Sequence, residues 1–159
     1  MPRAFFGPPR QGPVSDGARI TLYLVPVLGG KLVAFDLRAR EAQGRWLPWT
    51  VLDFGANPYV TASELAERWC QGAVSDLSIA DVLSIETAGG GWELAIVFRA
   101  ELTAEPRPQA NGAVFVVAPG AIDAIGPFAA TDLERWVARR SPGGTGRGAT
   151  SPGEPRLLF

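Results

Sequence analysis

GRWLPWTVLDFGANPYVTASELAERWCQG, residues Gly44 to Gly72, is the stretch whose reading decides the fold. Arg45 to Val51 is rich in aromatic and β-branched residues and predicts a strand. Gly55, Asn57 and Pro58 then supply turn chemistry. Thr61, with Glu64 three places on, has the form of a capping box and predicts a helix opening there. A strand feeding a loop into a helix N-terminus is a ready anion site, because unpaired backbone N–H groups point out of it. In the helix, Leu65 and Trp69 with Ala62 and Ala66 form an apolar stripe at helical spacing, which predicts a core face. Gly72 reads as its C-terminal cap.

Working outward, Arg19 to Val27 predicts a buried strand, with Pro26 suited to an edge or a bulge. Leu28-Gly29-Gly30 is a turn signal, and Lys31 to Arg38 returns as the second arm of a hairpin. Beyond Gly72, Val74 to Ser78 reads as a connection and Ile79 to Thr87 as a strand. The run Ala88-Gly89-Gly90-Gly91 turns the chain, and Trp92 to Leu102 answers with strict alternation. Trp92, Leu94, Ile96 and Phe98 share one face, with Glu93, Ala95, Val97 and Arg99 on the other. Thr103 to Asn111 is a proline-bearing loop placed to overhang a cleft. Ala113 to Ala118 is a continuous apolar strand, the pattern of a sheet covered on both faces. A last helix is expected from Thr131, capped with Glu134, with Leu133, Trp136 and Val137 as its apolar stripe.

Composition sets the limits. The 159 residues suit one domain with its own core, and 47% apolar content fits a globular protein. Residues 1–18 read as a loose arm, 19–140 as the domain, and 141–159 as a Gly/Pro/Ser-rich tail too poor in apolar residues to offset its ordering entropy. No apolar run reaches the roughly 18–20 residues of a membrane span, and the N-terminal run carries no signal-peptide segment. One cysteine allows no internal disulfide, which makes the cytoplasm the expected location. A net charge of −1 with no basic block argues against nucleic acid and membrane as partners. The absence of histidine removes histidine-based triads, most zinc sites and the commonest general base. Cys70 has no histidine to act as its base and reads as a buried thiol. A homodimer is compatible with the sequence.

The run Trp46-Leu47-Pro48, then Gly55, then an acidic helix resembles the core of a Nudix domain, whose box is written G-x5-E-x7-R-E-U-x-E-E-x-G-U. The resemblance covers roughly residues 18 to 140 and implies a Nudix-like α/β/α sandwich, a mixed β-sheet between helices. Anchoring the box on Gly55 leaves no acidic residue at its helical positions. Setting Ser63-Glu64-Leu65-Ala66-Glu67-Arg68 against R-E-U-x-E-E keeps Glu64, Leu65 and Glu67, and puts Arg68 where the last glutamate belongs. The W-x-L-P-G-G type strand end that usually precedes this box has Trp49 and Thr50 here in place of its two glycines.

What the resemblance implies is a hydrolase of nucleoside diphosphate derivatives using magnesium or manganese. In that enzyme reading Glu64 and Glu67 are the catalytic and metal-binding pair, completed by Asp53 or Glu101. Arg68 brings a fixed positive charge, repulsive to a divalent ion and attractive to a diphosphate. The expectation is therefore a nucleotide or other phosphorylated small molecule bound without full metal catalysis. Arg68, Trp49, Gly55 and Asp53 are the candidate contacts, and metal is needed only if the enzyme is active. Trp46, Trp49 and Trp92 are candidates to stack on a base, with core packing the plainer role for Trp46 and Trp92. The plainer reading of Glu64 is a capping box with Thr61, and of Glu67 and Arg68 a solvated helix face. A third reading is an interaction module that reuses the fold without a ligand.

Overall fold

The computed structural model describes residues 19–36, 45–86, 91–108 and 112–139, so the expected arm and tail lie outside it. Seven strands and two helices follow in the order β1 (Arg19–Leu28), β2 (Lys31–Asp36), β3 (Arg45–Trp46), β4 (Trp49–Val51), α1 (Pro58–Cys70), β5 (Val74–Glu86), β6 (Trp92–Leu102), β7 (Val114–Val117) and α2 (Ala130–Ala138). All strands belong to one mixed sheet. β1 runs parallel to β6, and the other pairings are antiparallel.

The predicted β1–β2 hairpin forms, and its two-residue turn holds Gly29 and Gly30 at φ 56° and 75°, the positive values such turns demand. The two strands then part. β1 takes β4 as its partner, while β2 takes β3 and, separately, β7. The expected single strand Arg45–Val51 is therefore two pieces, joined across the gap by Leu47 and Pro48. Leu47 is buried, and the Pro48 carbonyl accepts from Leu24 N–H at 2.9 Å. Pro26 lies neither at an edge nor in a bulge. Strand alternation points its ring nitrogen to the same side as Leu24 N–H, where β1 changes partner from β4 to β2 and no ladder donor is needed.

Two apolar layers sandwich the sheet. Leu22, Leu24, Val33 and Phe35 meet Ala62, Leu65, Ala66 and Cys70 of α1 on one face. Tyr23, Val25, Val27 and Ala34 meet Leu133, Trp136 and Val137 of α2 on the other. Both helical stripes expected from sequence are the buried ones. β5 begins at Val74, so the expected connection is strand, and it pairs along its length with β6 through two register shifts. β7 is less covered than its composition suggests, with Val116 exposed.

The alternation of β6 holds, but its more buried face is the one carrying charge. Glu93, Ala95, Val97 and Arg99 are buried, whereas Trp92 is half exposed, outside the core expected for it. Satisfied partners make this burial tolerable. Glu93 accepts from Tyr23 Oη at 2.9 Å and from Arg19 Nη2 at 3.1 Å. Burial first, then that bond to Glu93, pushes the Tyr23 phenol well above its usual range. Arg99 pairs with Glu101 at 2.7 Å and donates to the carbonyls of Trp136 and Val137 at 3.0 and 3.4 Å. Those are orphan carbonyls at the end of α2, where the macrodipole favours a cation.

Both helix starts differ from the sequence reading. α1 is capped by Asn57, one turn before Thr61, with Pro58 in its first turn. α2 starts at Ala130 with no side-chain cap, and Glu134 Oε1 instead accepts from Gly120 N–H at 3.2 Å.

Candidate functional site: two clefts on opposite faces of the sheet

Asp53 to Ala56 is a tight turn closed by Ala56 N–H on the Asp53 carbonyl at 3.0 Å. Gly55 holds φ 81° at its third position, a value that favours glycine. Asn57 follows and takes the amides of Tyr59 and Val60 on Oδ1 at 2.9 and 3.4 Å. Thr61 N–H is bound by the Asn57 carbonyl, and Pro58 has no N–H. The amides of Tyr59, Val60 and Thr61 are thus each bonded to Asn57.

Further along α1, Glu64, Glu67 and Arg68 are exposed. Glu67 lines a cleft of about 280 Å³ with Ser63, Gly72, Ser75 and Asp76; Glu64 and Arg68 are not part of its lining. Gln71 ends the helix in the left-handed conformation at φ 53°. Its carboxamide exchanges two hydrogen bonds with the Arg107 backbone, at 3.1 and 2.7 Å, and ties the Thr103–Arg107 segment beside the cleft. Cys70 is buried as expected, and burial, with the Glu67 charge, pushes its thiol up to about 12.

The candidate site residues do not converge. Asp53 and Gly55 lie before the helix N-terminus, and Glu67 stands about 14 Å along the axis from Pro58 at a rise of 1.5 Å per residue. Glu101 shares the α2 face of β6 with Arg99, the opposite side of the sheet from α1. Trp49 stands opposite Tyr23, also on the α2 face, 42% exposed with the Arg19 guanidinium 5.9 Å from its ring centre. Among the described residues, no three histidine, cysteine or acidic side chains group as metal ligands. Magnesium takes several oxygens in a near-octahedral array. With Glu64 outside the cleft, the residues present do not fit the ion that the box implies.

The larger cleft, about 430 Å³, is on the α2 side. Leu32, Val117, Ile122 and Ile125 form its apolar floor, all four members of the α2-side core. Arg45, Trp46 and Asp123 stand around that floor. The Arg45 guanidinium lies 4.9 Å from the Phe115 ring centre, within cation–π range. Gly126 (φ 54°) lets the Trp46 indole close in, since a Cβ there would stand 2.7 Å from the ring. Trp46 Nε1 is buried with no hydrogen-bond partner. An apolar floor with a few polar groups at its rim, in a volume of this order, is the usual form of a small-molecule site. Of these residues the sequence reading had picked out Trp46 alone. Asp123 and Gly126 sit in the run Pro119-Gly120-Ala121-Ile122-Asp123-Ala124-Ile125-Gly126, whose two glycines signal turns but not what they face.

No family model matches the chain, and no curated protein matches it at a significant level of sequence similarity. Solved structures do. A MutT Nudix hydrolase from Burkholderia pseudomallei superposes with TM-score 0.62 at 20% identity, over 76% of this chain and 98% of that one. The Nudix domain of NrtR from Shewanella oneidensis, solved with ADP ribose, gives 0.62 at 12% identity, over 78% and 90%. The MutT protein of Methanosarcina mazei Go1 gives 0.61 at 14%, over 77% and 95%. At such identities it is the architecture that is shared, and this chain has the Nudix fold.

Proposed function

We propose that this Nudix-fold domain binds a nucleotide or another phosphorylated small molecule in the Arg45–Trp46 cleft, with hydrolysis impaired or absent. One observation carries the reading. The apolar floor of that cleft belongs to the α2-side core, whereas Glu64 and Glu67 stand on α1 against the other face of the sheet. Among the described residues a ligand seated there meets an aromatic wall and the Arg45 guanidinium, and the acidic pair of the helix lies beyond the sheet. The neighbouring NrtR domain, solved with ADP ribose, supports the ligand class by analogy of fold.

A metal-dependent hydrolase is the second reading, favoured by Glu67 and Asp76 sharing one cleft. Thermal melts and a product assay with ADP ribose and nucleoside diphosphates, with and without magnesium or manganese, separate the two. The expected result is a raised melting temperature with no product. Product formation that Glu67→Gln abolishes overturns the loss of hydrolysis. Failure of every ligand to shift the melt overturns binding and favours an interaction module.

A further inference from the structure

Among the described residues β5 closes one end of the sheet order β3-β2-β1-β6-β5, and its outer side is an edge. At thirteen residues, with Ile79 and Val82 exposed, such a strand is a template on which another extended chain can pair. Its middle is occupied instead. Val82 N–H donates to Asp81 Oδ1 at 2.9 Å, a bond to its neighbour's side chain rather than to β6. Backbone groups of an antiparallel strand face the partner and the outside by turns, so Val82 is an outward residue, and Ser84 and Glu86 share its side. Two residues before Val82, the register shift between Ile79 and Asp81 leaves Ala80 as an extra residue, and its carbonyl accepts from Arg139 Nη1 at 2.7 Å. α2 holds both side chains in place. Asp81 Oδ2 accepts from Arg135 Nη2 at 2.7 Å and from Trp136 Nε1 at 3.1 Å, and Arg139 follows directly on the helix end.

We propose that Asp81 and Arg139 guard this edge: by taking the Val82 N–H and the Ala80 carbonyl they keep β5 from pairing edge to edge with a second copy of the chain. A second β5 laid along the first would need those two groups for its ladder, and both are already spent. The bend that a bulge puts into an edge strand works to the same end. The guard is independent of the ligand reading, since Asp81, Val82 and Arg139 line neither cleft.

Sedimentation velocity of the full chain over a range of concentrations tests it, with Arg139→Ala, Asp81→Ala and the double variant beside the wild type. Each freed backbone group is expected to tighten self-association by about tenfold, because a two-fold pairing gains it twice. Ser84→Pro removes the next outward N–H and spares the ladder with β6. Added to the double variant, it should return association to the wild-type level. Arg139 is exposed and lies beyond the buried stripe of α2, so Arg139→Ala keeps the fold and carries the test by itself if Asp81→Ala unfolds. Hydrogen exchange at low concentration is the second measurement, and the Val82 amide should exchange slowly in the wild type and fast in Asp81→Ala. Arg139→Ala associating no more than the wild type overturns the guard. So does association of the double variant that Ser84→Pro leaves unchanged, or wild-type association that Ser84→Pro alone removes.

Discussion

Replacing Asn57 with alanine removes the oxygen that accepts from the Tyr59 and Val60 amides at 2.9 and 3.4 Å. Pro58 brings no amide, and Thr61 N–H is held by the Asn57 carbonyl, which alanine keeps. The loss is therefore one good hydrogen bond and one long one at an exposed helix start, with the buried stripe Ala62, Leu65, Ala66 and Cys70 untouched. Cap deletions of this kind cost about 1 kcal/mol. For a chain of this size that lowers the melting temperature by about 2–4 °C. Asn57→Asp keeps the acceptor and adds a charge the helix dipole favours, so it should match or slightly exceed the wild type. Thr61→Ala, at the position the sequence pattern would choose as the cap, should stay within about 0.5 kcal/mol. Urea denaturation followed by tryptophan fluorescence and far-UV circular dichroism measures all three, with an unchanged slope confirming a pure stability effect. A Thr61→Ala loss equal to or larger than that of Asn57→Ala would refute the assigned helix start.

Gly126→Ala should cost about 1–3 kcal/mol, because the new methyl meets the Trp46 ring at 2.7 Å on a backbone at φ 54°. An unchanged denaturation midpoint and unchanged tryptophan emission would rule out that close contact. Asp81 accepts from Arg135 at 2.7 Å, from Trp136 Nε1 at 3.1 Å and from Val82 N–H at 2.9 Å. Burial works to raise its pKa, but the hydrogen bonds from Trp136 and Arg135 outweigh it and hold the carboxyl below the usual 3.8. A pKa lower in the folded state means that the unfolded chain binds the proton first. The stabilisation is then complete above the ordinary aspartate value and is lost as pH falls through the folded one. Asp81→Asn should therefore be less stable than wild type at neutral pH, with the difference closing in acid. A pH-independent difference would remove Asp81 from the acid response.

The β1–β2 and β5–β6 hairpins and the core stripes of both helices were legible in the sequence as local patterns, and the Nudix-like sandwich through the family resemblance. The hairpins and stripes rest on a local period, two for strands and 3.6 for helices, and the β1–β2 hairpin also on the two glycines its turn requires. Where local signals competed, tertiary structure decided. Thr61-x-x-Glu64 has the form of a cap, yet Asn57 takes the position and extends the helix by a turn. Alternation in β6 sorted residues into two faces without saying which would be buried. Glu93 and Arg99 go inside because Tyr23, Arg19 and the end of α2, all remote in sequence, supply partners, with Glu101 of the same strand pairing Arg99. The site divides the same way. The sequence alone placed Glu64 and Glu67 on a helix after a glycine turn. Only the folded sheet sets the Arg45–Trp46 cleft on its opposite face, because a cleft is assembled from segments tens of residues apart and no local pattern encodes which of them meet.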